Sequence, residues 1–167
     1  MHDNIKKRIN IAAKRQPADL VIKNCKIVNV FTHEIIEGDI AISDGKIAAV
    51  GNYSGEKEVD AEGRYALPGF INSHIHIESS FVSPEEFSRL VVPHGTTTII
   101  ADPHEIVNVC GMDGFDYMVK AGENAALNIK YMLPSCVPCT PWEHAGAVVD
   151  SKAISEVINQ DKVFGMG

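Results

Sequence analysis

The pattern of apolar and polar positions changes twice along the chain. Ile5, Ile9, Ala12 and Ala13 recur at helical spacing, with Lys6, Lys7, Arg8, Lys14 and Arg15 between them. That periodicity predicts an amphipathic helix over 1–17 with a solvated basic face. After Pro17 the chain becomes rich in Ile and Val, over 19–30 and 35–50. Apolar residues partly alternate with polar ones from Asp39 to Ser43, as on a half-buried strand. Asp44-Gly45 then offers a two-residue turn whose central positions both need positive φ. Ile47–Val50 returns as a strand, and Val59-Asp60-Ala61 supplies another. Residues 18–66 therefore read as a small antiparallel β-module.

From Leu67 the rhythm becomes strand, loop, helix. Phe70–Ile77 reads as a strand. Ser83-Pro84-Glu85-Glu86 opens a helix: Ser83 caps free N–H groups, Pro84 needs no N–H there, and the glutamates suit the positive helix end. Phe87, Leu90 and Val91 share its apolar face, and it stops near His94-Gly95. Thr96–Ala101 is a second strand, almost wholly β-branched and suited to burial on both faces. Gly114–Leu127 reads as a second helix and Ile129–Leu133 as a third strand. Ser151 caps a third helix over Ser151–Asn159, and Val163–Gly167 begins a fourth strand. Alternating strands and helices predict right-handed βαβ units on a parallel sheet. In such folds the chemistry gathers after the C-terminal ends of the strands. His74, His76 and Glu78 close the first strand. Asp102, His104 and Glu105 close the second, and Ser135, Cys136 and Cys139 follow the third.

Composition narrows the function classes. The 167 residues carry 15 basic and 22 acidic side chains, a net charge of −7, with 45% hydrophobic residues. That is ordinary for a globular protein. The acidic balance argues against a nucleic-acid footprint, and the basic residues that do cluster read as the solvated face of the N-terminal helix. No run approaches the ~18 apolar residues of a membrane span, and no apolar segment follows the N-terminal basic residues as in a targeting peptide. A cytoplasmic protein is expected. Four cysteines do not make a disulfide framework. Cys25 and Cys110 read as buried free thiols. Cys136 and Cys139 read as loop thiols. Pro138 and Pro141 oppose the helix a redox dithiol opens, and one CxxC lacks the second pair of a zinc site.

The sharpest feature is His74-Ile75-His76. Side chains at i and i+2 of a strand share a face, so both imidazoles project together while Ile75 and Ile77 point toward the helices. Two neutral imidazoles aimed at one point form half of a metal site. Pro68-Gly69-Phe70-Ile71-Asn72-Ser73-His74-Ile75-His76 resembles the first-strand signature of the amidohydrolase superfamily. The preceding module, with Asp44-Gly45-Lys46-Ile47, resembles the small β-sandwich these enzymes carry beside a barrel. Within the superfamily, His74–Ser80, Ala101–Val109, Leu133–Pro138 and Trp142–Ala147 resemble the bacterial adenine deaminase family.

The resemblance implies an α/β fold: the N-terminal part of a (β/α)8 TIM-type barrel, with three βα units and the start of strand 4 over 67–167, after the β-sandwich module of 18–66. A whole barrel needs about 250 residues. It implies metal-dependent hydrolysis of adenine to hypoxanthine and ammonia, by attack of a metal-bound hydroxide at C6. The implied cofactor is a divalent metal, binuclear in the complete enzyme, usually manganese or iron, with zinc the alternative. His74 and His76 match the first metal ligands, and His104 is a candidate metal or substrate contact. Glu78, Asp102 and Glu105 are candidates for orienting the ligands. The family's bridging carboxylate, later histidines and proton-transferring aspartate lie beyond the stretch resembling Val163–Gly167. No catalytic residue is assigned within the chain, and the chain alone is expected to be inactive. Purine salvage, a small-molecule partner and a homo-oligomer complete the expectation.

Three alternatives are weighed. One is another amidohydrolase opening cyclic amides, and another is a catalytically silent metal-binding fragment. The third is a cytidine-type zinc deaminase, with H-x-E and P-C-x-x-C. His76-Ile77-Glu78 fits its first half, but Ser135 separates Pro134 from Cys136, and the His–Glu element ends a strand. His104-Glu105 also begins like a metalloprotease motif, but Asn108 stands where the second histidine belongs.

Overall fold

A computed structural model describes residues 2–167, so Met1 of the predicted 1–17 helix lies outside the described residues. The chain divides into two compact units, Met1–Pro68 and Gly69–Gly167.

In the first unit, α1 (His2–Ala12) precedes β1 (Ala18–Asn29), β2 (Glu34–Ser43), β3 (Lys46–Gly51), β4 (Gly55–Asp60) and β5 (Tyr65–Ala66). They form one sheet, ordered β3-β2-β1-β4, with β5 also on β1. β2 pairs antiparallel with β1 and β3, but β4 and β5 pair parallel with β1. The module is therefore mixed, not antiparallel throughout. Parallel pairing needs a long crossover. Here β2 and β3 are that crossover, which hairpin adjacency does not reveal. The turn at Asp44-Gly45 forms as expected, with φ of 51° and 69°, the positive pair of a type I′ turn.

The buried face of α1 differs from the periodicity reading. Ile5 and Ile9 are exposed, while Ile11 is fully buried with Ala18, Val21 and Ala41. An ion pair lies on the same side: Lys7 Nζ is 2.8 Å from Asp19 Oδ1 and 3.5 Å from Asp44 Oδ1. Lys7 and Ile11, four apart, share a helix face, and the burial of Ile11, worth about 1.5–3 kcal/mol, outweighs an ion pair open to solvent.

In the second unit, β6 (Phe70–Ile75), β7 (Thr96–Ala101), β8 (Asn128–Leu133) and β9 (Val163–Met166) form a four-stranded sheet in chain order. All three pairings are parallel. The connections carry α2 (Pro84–Val91), α3 (His104–Cys110), α4 (Met112–Ala121) and α5 (Ser151–Val157). Ile77, Phe87, Ile99, Phe115, Ile129 and Leu133 are among the residues of one apolar core. Ser83 caps α2 as expected, its hydroxyl accepting from Glu86 N–H. The chain leaves the following 3-10 turn through Gly95, whose φ of 95° suits glycine.

Several local expectations change. The helix expected over Gly114–Leu127 is α4, which begins at Met112 and already ends at Ala121, and an unexpected helix, α3, precedes it across Gly111 with φ 62°. The cap of α5 is Asp150, not Ser151: its carboxylate accepts from Lys152 and Ala153 N–H. Asp150 reaches these amides as the residue before the first helical one. Leu90 is exposed. Cys110 is exposed too, and only Cys25 of the pair is buried. β7 buries Ile99 and Ala101 fully but leaves Thr96, Thr98 and Ile100 on the alternate face half-buried, so burial is complete on one face only.

Candidate metal centre

The parallel register brings the ends of β6 and β7 together. Ile75 pairs with Ala101, and Asp102 N–H donates to Ile75 C=O at 2.8 Å. His74 lies in β6, and His76 follows in extended conformation, φ −100° and ψ 103°. Between them Ile75 turns toward the core and is partly buried against it. The i,i+2 relation thus places both imidazoles together, as the strand pattern predicts. His74 Nε2 and His76 Nε2 are 3.1 Å apart. Metal–nitrogen bonds of about 2.0–2.1 Å close on one cation across such a gap.

Asp102 supplies a third donor. One atom from each of His74, His76 and Asp102 lies within 4.8 Å of the others. Asp102 is only 5% exposed, and its Oδ1 is buried with no hydrogen-bond partner. A buried carboxylate oxygen without a donor is costly. A carboxylate oxygen of Asp102 lies close enough to the two imidazoles for the three side chains to fit a divalent metal.

Glu105, in the first turn of α3, reaches His76. Its Oε2 lies 3.0 Å from His76 Nδ1, and its Oε1 accepts from Ser79 Oγ at 3.0 Å. Burial pushes the Glu105 carboxyl up, but its own backbone N–H, Ser79 and His76 outweigh that and hold it below its ordinary value. A carboxylate can only accept. His76 Nδ1 therefore donates, which leaves the Nε2 lone pair for a metal.

Glu78 plays a different part. Its Oε1 accepts from Ile106 N–H at 3.2 Å, tying the turn after β6 to α3. Burial pushes its carboxyl up, only partly offset by the N–H groups of Glu78 and Ile106. Among the described residues it makes no hydrogen bond to either histidine. The His104 ring lies 6.4 Å from that of His76, centroid to centroid. Among the described residues it bonds neither Asp102 nor Glu105. Instead a donor atom of His104 comes within 4.8 Å of those of Cys136 and Cys139. The CxxC spacing pointed only to a local pair. A histidine at the matching end of the neighbouring strand was the signal that could have linked them.

Solved structures share this fold. The D-hydantoinase from Thermus sp. aligns with a TM-score of 0.55 at 24% identity, over 69% of this chain and 27% of that one. A mutant of the atrazine chlorohydrolase TrzN from Arthrobacter aurescens TC1, complexed with zinc and atraton, aligns at 0.61 and 19% identity. That match covers 84% of this chain and 43% of that one. Two curated relatives are far more similar in sequence. Adenine deaminase 2 of Desulfotalea psychrophila is 61% identical over 98% of this chain and 28% of its own length. Adenine deaminase of Geobacillus kaustophilus is 53% identical over 99% of this chain and 29% of its own. The chain thus spans less than a third of these relatives. The model of the amidohydrolase family matches residues 65–164, which takes in the paired histidines, Asp102 and the whole βα series, and the chain belongs to that family.

Proposed function

We propose that this chain carries the first metal-holding strands of an adenine deaminase, which hydrolyses adenine to hypoxanthine and ammonia. The observation that carries the chemistry is the convergence of His74 and His76 Nε2, with the buried Asp102 carboxylate within reach of the pair. The similarity to adenine deaminases over nearly the whole chain supports the substrate.

His74, His76 and Asp102 would hold a divalent cation. Such a cation supplies the Lewis acidity that lets water act as a nucleophile at neutral pH. Glu105 holds the His76 ring and its tautomer through the Nδ1 bond. Ser79 keeps the Glu105 carboxylate in place. The imidazole and carboxylate donors suit manganese, iron or zinc, and the TrzN neighbour contains zinc. The complete enzyme would hold two metals.

In this reading β6–β9 are the first four strands of a (β/α)8 barrel, with residues 18–66 contributing to a small β-sandwich. Ile100 and Met132, opposite the helix-covered face by strand alternation, would then look into the barrel. No helix among the described residues is long and apolar enough to cross a membrane. We read the enzyme as one of cytoplasmic purine salvage and as a homo-oligomer. The D-hydantoinase likeness speaks for the fold alone, so nothing specific favours a cyclic-amide substrate.

A chimera tests the proposal. This chain would replace the matching segment of the Desulfotalea psychrophila relative, and ammonia release from adenine would be followed. Metal-dependent turnover that His74→Ala abolishes is expected. A folded chimera that binds metal without deaminating adenine would favour the silent metal-binding alternative.

A further inference from the structure

His104, Cys136 and Cys139 gather their donor atoms within 4.8 Å of one another. They come from two neighbouring strand ends. His104 follows β7, the cysteines follow β8, and Ala101 pairs with Tyr131 across the two strands. Cys139 Sγ donates to Cys136 C=O at 3.4 Å, which folds the loop so that both thiols stay on one side. Both thiols are free and exposed, while His104 is half-buried. None of the three belongs to the His74–His76–Asp102 group.

We propose that His104, Cys136 and Cys139 form a second metal site, selective for a thiophilic cation, with zinc the best fit. Tetrahedral zinc with bonds of about 2.3 Å to sulfur and about 2.0–2.1 Å to nitrogen takes donors about 3.5–3.8 Å apart, inside the 4.8 Å within which these three gather. Two thiolates and an imidazole select zinc and other soft or borderline ions, whereas imidazole with carboxylate accepts harder ones such as manganese. The two centres therefore sort cations by softness. Binding releases the thiol protons to solvent and transfers no electrons. Three protein donors leave a fourth position open for water or a small ligand. The inference rests on these three residues and not on the deaminase reading.

The test uses the fully reduced 167-residue protein. Cobalt(II) added without oxygen should produce thiolate-to-cobalt charge-transfer absorption in the near ultraviolet. Cys136→Ser and Cys139→Ser should each remove or sharply reduce it. His104→Gln should weaken cobalt binding by at least about tenfold, the loss even an outer-shell partner brings. His74→Ala should leave the band intact. In the unaltered protein, saturating zinc should shield Cys136 and Cys139 from a thiol reagent while exposed Cys110 still reacts. That measurement needs no variant. Absence of the band, its persistence without either cysteine, its loss in His74→Ala, or unchanged labelling of all exposed thiols with zinc would each overturn the proposal.

Discussion

His76 Nδ1 and Glu105 Oε2 lie 3.0 Å apart, joining the end of one strand to the helix that follows its neighbour. The contact decides which His76 nitrogen is free. Removing such a partner from a ligating histidine typically costs about 10–100-fold in metal affinity. Glu105→Ala should weaken manganese binding by that order in a calorimetric titration. Manganese is the right probe, because thiolates do not favour it. An unchanged affinity would mean that Glu105 does not orient a ligand.

Asp102 should matter through metal binding. Asp102→Asn replaces a carboxylate with a neutral amide and should bind manganese more weakly in a calorimetric titration. Unchanged affinity would remove Asp102 from the centre.

His74→Ala should abolish manganese binding to the 167-residue chain with little change in its unfolding midpoint, since the His74 side chain is exposed. Tight binding in this variant would sink the assignment of the histidine pair.

Tyr131 and Gly122 should be energetically coupled. Tyr131 is 1% exposed, and its hydroxyl donates to Met118 C=O at 2.7 Å. Burial pushes its phenol above the ordinary range. Tyr131→Phe removes one of that carbonyl's two donors, Gly122 N–H remaining at 3.0 Å, and should cost about 0.5–1.5 kcal/mol. A Cβ at position 122 would collide with the same hydroxyl. Gly122→Ala should therefore be destabilising, and Tyr131→Phe in the same chain should relieve part of the clash. A double-mutant cycle with additive costs would contradict this coupling.

Asp39 should give the first unit a signature of acid lability. It is 6% exposed and accepts from Lys23 Nζ at 2.6 Å, Asn24 N–H at 3.1 Å and Tyr53 N–H at 3.2 Å. Burial pushes its carboxyl up, but these bonds win and hold it below the ordinary 3.8. The unfolded chain thus binds this proton more readily than the folded one. Asp39 contributes stability above pH 3.8, and loses it as pH falls from there through the lower folded value. Asp39→Asn should lower the midpoint at neutral pH and flatten that acid limb. An equally steep limb in the variant would assign it to other carboxylates.

Much of the second unit was legible because its cues are local. Thr96–Ala101 is dense in β-branched residues, and Ser83-Pro84 is a cap that acts within one turn. The i,i+2 rule put His74 and His76 together with no knowledge of neighbours. The first unit was less legible. Its hairpins follow from adjacent sequence, but the parallel pairing of β1 with β4 joins strands separated by two others. Ile11 is not marked by the apolar spacing of α1, because the sheet surface it packs on, Ala18, Val21 and Ala41, comes from strands outside the helix.

The candidate centre divides the same way. Strand periodicity sends two imidazoles off one strand end together, and βα order places carboxylates and thiols after the next two strands. Both are legible in the chain because they act over a few residues. The partners follow from the folded arrangement alone. Register between β6 and β7 set Asp102 beside the histidine pair, turned Glu105 onto His76 and left Glu78 on a backbone amide. The pairing of β7 with β8 brought His104 to Cys136 and Cys139. Those choices depend on angstrom-scale offsets between strands distant in sequence, which hydrophobic pattern and turn chemistry do not encode.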